Sequence, residues 1–165
     1  LLKPFGVDLL VHDPYVQSEL ASSLGFTLTT LEAVMSKPDV VVCLAPLTPG
    51  TQGMIGEEQI AMLKPGAVFV NVSRGAIVDS YALISRLESD DITACLDVFD
   101  PEPIPVDSKI RLLPNVFLSP HIAGTTERSR TRFFEEMVGE LERHFSGHET
   151  MHNLTSRVLA NRRGQ

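Results

Sequence analysis

Four things are scarce or missing in this 165-residue chain: positive charge, cysteine, long apolar runs and any G-x-G-x-x-G. Lysine and arginine number 14 against 21 aspartates and glutamates, a net charge of −7. Nucleic-acid surfaces carry the opposite surplus, so a nucleic-acid partner is excluded. Arg157, Arg162 and Arg163 are too few for a polybasic membrane anchor. No stretch approaches the ~18 apolar residues of a membrane span, and no secretory signal opens the chain. The expectation is a cytoplasmic protein without a membrane partner. The two cysteines, Cys43 and Cys95, fall inside apolar runs and read as buried free thiols of a reducing compartment. His144, His148 and His152 recur every four residues, but Gly147 interrupts any helix there. Metal binding needs three or four convergent ligands, so no metal is expected.

What is present is a globular pattern: 43% hydrophobic residues in a length that fits one domain with a real core. The organising stretch is residues 67–79, AVFVNVSRGAIVD. An unbroken apolar run closing in turn chemistry reads as a strand buried on both faces, as in a parallel sheet. Further strands are expected at 8–13, 39–45, 93–99 and 115–118, with a brief extended piece at 26–29. Helices are expected at 17–24 stopped by Gly25, at 30–36 with Thr30 as N-cap, at 57–63, and at 79–87 with Asp79 as N-cap. Proline and glycine mark 46–51 as a loop, DPEPIPVD at 100–107 reads as a rigid irregular segment, and 119–124 reads as a turn. From Thr125 the pattern becomes one long helix. Phe134, Met137, Val138, Leu141 and Phe145 share one face, and Ser146-Gly147 ends it. The polar tail from Glu149 is expected to fray. Strands alternating with helices indicate an α/β fold, a Rossmann-like doubly wound parallel sheet.

In open α/β sheets, ligands bind beyond the carboxyl ends of the strands. Arg74 falls at such an end beside Gly75, where the backbone can approach an anion; a surface arginine is the plain alternative. Asp13 ends an early strand, where a carboxylate suits the two ribose hydroxyls of an adenine nucleotide and repels a 2′-phosphate; a turn aspartate is the alternative. Asp97 is an acid among apolar neighbours, which needs partners if buried. Capping of a nearby loop would be enough to explain it. Glu102 is held between Pro101 and Pro103, and His121 follows Pro120 in the next turn. Each alone reads as a solvated or structural residue. Together, Arg74, Glu102 and His121 follow three successive strands, so one sheet edge brings them to one cleft. A guanidinium, a carboxylate and an imidazole suit 2-oxo acid chemistry. The arginine fork binds the carboxylate and polarises the carbonyl. The imidazole moves the hydroxyl proton, and the glutamate fixes its tautomer. A cofactor must supply the hydride.

These stretches, FVNVSRGAIVD, CLDVFDPEP and SPHIAG in this order, resemble the signatures of the D-isomer-specific 2-hydroxyacid dehydrogenases, over essentially residues 1–147. The resemblance implies an NAD-dependent oxidoreductase that interconverts a small D-2-hydroxy acid and its 2-oxo acid, working as a homodimer. It implies that Arg74, Glu102 and His121 are catalytic. It implies cofactor contacts from Asp13, Ala45, Pro46, Thr51, Val72, Ser73, Arg74, Asp97, His121 and Gly124. Ala45 stands where many members carry threonine. By the same resemblance, residues 1–124 are an NAD-binding domain lacking its first strand and glycine-rich loop. Residues 125–147 are then a helix crossing toward the substrate domain, and 148–165 a polar tail. The chain as given is expected to be inactive alone. An NAD-sensing co-repressor of the same fold is the alternative.

Overall fold

The computed structural model describes residues 2–153 and 155–156. Among these residues six parallel strands form two sheets. β1 (Leu10–Val11) pairs with β2 (Thr27–Leu28). β3 (Val40–Cys43), β4 (Val68–Asn71), β5 (Thr93–Leu96) and β6 (Val116–Leu118) form a second sheet in that order. Its register sets Val41 beside Phe69 and Phe69 beside Ala94, while Cys95 faces Phe117. The ladder is interrupted between β1 and β3, so the expected sheet is present but divided.

The helices are α1 (Ser18–Leu24), α2 (Leu31–Ser36), α3 (Glu57–Ala61), α4 (Ser80–Leu87) and α5 (Glu127–Phe145). Their ends follow the expected chemistry. Gly25 closes α1 at φ 75°, donating to Ala21 O and Ser22 O. The Thr30 hydroxyl accepts the Ala33 N–H, and Asp79 accepts from Tyr81 and Ala82. α3 is shorter than the apolar pattern suggests. Met62 N–H bonds Gln59 O and Leu63 N–H bonds Ile60 O, so its last turn tightens to i→i−3 pairing.

α2, α3 and α4 supply Met35, Ile60, Leu83 and Leu87 to a core closed by Val41, Cys43, Phe69, Ala94 and Leu96 from one face of the sheet. The other face differs from the sequence expectation. Val40 and Val42 are 52% and 47% exposed, Phe117 is exposed, and Val68 and Val70 are only partly covered. β4 is therefore buried on one face, since the three helices stack on the same side. Cys43 is buried, and burial pushes its thiol up despite the Ala45 N–H. Cys95 points to the opposite face and is only partly covered, which corrects its reading as a buried thiol.

α5 carries the expected apolar stripe, but none of its residues is buried. Beyond it, residues 149–152 are tied back to the helix, while most of the tail expected to fray lies outside the described residues. The Glu140 carboxylate accepts the Met151 and His152 N–H groups, and Arg143 Nε donates to Glu149 O. Arg157, Arg162 and Arg163 lie outside the described residues. Among the described residues no helix is long and apolar enough to cross a membrane.

Candidate active site

β4, β5 and β6 run side by side and parallel, so their carboxyl ends share one edge. Arg74 follows β4, Asp97 and Glu102 follow β5, and His121 follows β6. The turn that presents Arg74 is shaped by a residue the sequence reading passed over. Asn71, 2% exposed, ends β4. Its side-chain amide donates to Arg74 O at 3.1 Å, and its carbonyl accepts the Ser73 N–H at 3.1 Å. A lone amide between Val70 and Val72 was the available signal, because a buried polar group needs such partners. The Ser73 hydroxyl donates to Ala45 O, tying the end of β4 to the segment after β3. Arg74 itself is exposed, and its guanidinium rests on Ser73 O at 2.6 Å.

Gly75 joins this turn to the loop after β5. A Cβ there would stand 1.9 Å from both C and O of Phe99 and 2.6 Å from Asp100 N. The two backbones touch only because the side chain is a hydrogen. The Ser80 hydroxyl adds a bond to Asp100 O at 2.9 Å. The segment carrying Arg74 is thus packed directly on the segment that leads to Glu102.

Glu102 and His121 meet. Nδ1 of His121 lies 2.7 Å from Glu102 Oε1, with both side chains half exposed, and the Phe99 N–H reaches Glu102 Oε2 at 3.4 Å. An ionised carboxylate only accepts, so Nδ1 carries the proton in this contact and Nε2 is left for another partner. His121 holds a left-handed backbone, φ 54°. Asp97 is 2% exposed and takes three donors, Ser119 Oγ at 2.5 Å, Ile122 N–H at 2.9 Å and Ala123 N–H at 2.8 Å. Burial pushes its carboxyl up, but these bonds and the neighbouring His121 outweigh burial and hold it below the ordinary value. The loop-capping alternative for Asp97 is therefore realised, and Ser119 is a partner the sequence reading missed.

The remaining candidates are spread along the same strand ends. Asp13 follows β1, in the other ladder; it is exposed and accepts the Tyr15 N–H at 2.9 Å. Pro46 and Thr51 bound the loop after β3. The Thr51 hydroxyl is used within it, donating to Pro46 O at 2.6 Å and accepting the Thr48 N–H at 2.8 Å. Val72 is partly covered, and Gly124 is exposed in the turn before α5.

Comparison with known proteins identifies the family. Residues 1–123 match the family described as D-isomer specific 2-hydroxyacid dehydrogenase, NAD binding domain. A mitochondrial formate dehydrogenase of Solanum tuberosum is 40% identical over 151 residues, 90% of this chain and 40% of that protein. A glyoxylate reductase of Korarchaeum cryptofilum is 41% identical over 139 residues, 84% of this chain and 42% of that protein. The crystal structure of D-lactate dehydrogenase with NAD+ from Lactobacillus jensenii superposes with a TM-score of 0.83 at 28% identity. It covers 93% of this chain and 50% of its own. This chain thus spans about two fifths of the length of the curated relatives it matches.

Proposed function

The chain belongs to the D-isomer specific 2-hydroxyacid dehydrogenases, matching their NAD-binding domain over residues 1–123, and on that premise we propose that the protein reduces a small 2-oxo acid reversibly to its D-2-hydroxy acid. The balance is 2-oxo acid plus NADH plus a proton to hydroxy acid plus NAD+. The observation that carries the reading is the 2.7 Å contact between His121 Nδ1 and Glu102 Oε1 at the sheet edge that also bears Arg74. In this proposal Arg74 binds the substrate carboxylate and polarises the carbonyl. His121 carries the hydroxyl proton on Nε2, the nitrogen that Glu102 leaves free. Glu102 fixes the tautomer.

The donor set at the strand ends fits a dinucleotide. Asp13 is exposed and offers a carboxylate to ribose hydroxyls. The segment at Ala45 and Pro46, the turn at Val72 and Ser73, and Gly124 border the edge where the reacting half would lie. Thr51 would act through the shape of its loop, since its hydroxyl is already used there. Bound NAD supplies or accepts the hydride. Residues 1–124 serve this binding. Residues 125–147 cross toward a substrate domain, and 148–165 follow as a tail. A homodimer would cover some of the apolar surface left open on α5. Two free thiols suit a reducing compartment such as the cytoplasm.

The relatives' names include formate dehydrogenase and glyoxylate reductase, and the Glu102–His121 pair favours the second chemistry. Formate losing a hydride becomes carbon dioxide with no hydroxyl proton to move, whereas a hydroxy acid must give one up. The co-repressor alternative is not favoured, because the similar proteins named above are dehydrogenases and a reductase. The test is NADH oxidation by the full-length protein with glyoxylate and hydroxypyruvate, beside NAD+ reduction with formate. Turnover of a 2-oxo acid is expected. Turnover of formate with none of the 2-oxo acids would overturn the reading.

A further inference from the structure

We propose that Asp97 is a positioning residue for His121: through the 119–123 turn it holds His121 in the left-handed conformation from which the ring reaches Glu102. This rests on the reading of His121 as the proton carrier, but it assigns Asp97 a task other than touching the cofactor. Asp97 is fixed from behind, because its own N–H donates to Asn71 O at 3.0 Å and the Ser119 N–H donates to Leu96 O at 2.9 Å. Its carboxylate oxygens accept from three groups of the turn. Its donors are Ser119, two residues before His121, and Ile122 and Ala123, the two residues after it. The bonds therefore straddle His121, whose φ of 54° is a conformation that residues with a Cβ avoid without external support. Only Asp90 shares a positive φ among the described non-glycine residues.

His121 is thereby held by two carboxylates with separate duties. Asp97 fixes its backbone and Glu102 its ring. Three of the acceptor positions of Asp97 are filled, leaving room for at most one more donor. Release of the turn would let His121 return to ordinary backbone angles. The ring would then leave Glu102, and the Nδ1–H form would lose the acceptor that favours it.

The experiment is two-dimensional 1H–15N NMR of the full chain carrying 15N-histidine, with His121→Gln used to assign the signal. In wild type, His121 should show the protonated Nδ1 pattern of a ring bonded to a carboxylate. In Asp97→Asn the amide nitrogen opposes a backbone N–H, so that pattern should be lost in favour of a free-histidine mixture. Retention of the wild-type pattern in folded Asp97→Asn overturns the proposal, including the case in which only the KM for NADH rises. Should Asp97→Asn not fold, Ser119→Ala decides. It removes one donor of three, and a His121 signal identical to wild type there also overturns the proposal. The readout is independent of turnover. A lost pattern with unchanged kcat would uphold the positioning role and sink His121 as proton carrier instead.

Discussion

The two ends of the candidate site are built differently. At the β4–β6 end, the buried side chains of Asn71 and Asp97 shape the turns that present Arg74 and His121, and Gly75 packs backbone on backbone against Phe99. At the β1 end, Asp13 follows a two-residue strand with a two-residue partner, and it is exposed with one bond to the Tyr15 N–H. Proton transfer depends on heavy atoms held within hydrogen-bond reach. Recognition of ribose hydroxyls by a carboxylate tolerates a softer support. The difference places rigidity where the proposed chemistry needs it.

The comparison can be broken or sharpened by substitution. The largest effect belongs to Gly75→Ala, whose Cβ would enter the Phe99 backbone at 1.9 Å. It should cost about 4 kcal/mol or more. Gly25→Ala, at φ 75° where α1 leads into β2 of the short β1–β2 ladder, should cost only about 1 kcal/mol. Urea unfolding of the two variants measures the gap, and equal losses would erase the distinction between the two ends.

Next is Arg74→Lys in the full-length protein, which keeps the charge and removes the bidentate fork. A loss of about 2–4 kcal/mol in kcat/KM is expected. Kinetics within threefold of wild type would take Arg74 out of the site.

A smaller effect is acid-dependent. Asp97 has a folded-state pKa below its ordinary value, so its ionisation stabilises the fold above the unfolded value of about 3.9. That stability is lost as pH falls through the folded pKa. Asp97→Asn should therefore be less stable than wild type at pH 7 and approach it as the pH falls through the lowered folded value. Unfolding curves that stay parallel across that interval would show that the carboxylate charge contributes nothing.

The smallest effect on the fold is expected from Asp13→Asn. It should leave the melting temperature unchanged and reduce the preference for NADH over NADPH by roughly tenfold, about 1.4 kcal/mol. An unaltered ratio would show that Asp13 does not face the ribose.

Much of this was legible in the residues. Thr30 and Asp79 cap helices where their side chains sit before apolar periods, and Gly25 ends α1 in the left-handed region. These are local effects, set within four residues of chain. The order of Arg74, Glu102 and His121 after three strands was also legible, because parallel strands put successive carboxyl ends on one edge. Less legible were the supports. Asn71 and Ser119 act on partners that any surface residue could also have found, and the Gly75–Phe99 approach spans 24 positions of chain.

The sequence by itself determined the element types, their caps and the parallel order, since periodicity and backbone preference act over short separations. Only the tertiary structure decided that β4 is covered on one face, that Cys95 lies on the other, and that no residue of the α5 apolar stripe is buried. It alone decided that Asp97 grips the turn around His121 while Glu102 holds the ring. An apolar residue carries no record of what will cover it, and a carboxylate none of which distant N–H group will reach it. Those facts arise when separate segments pack, and the chain between them does not specify the distance.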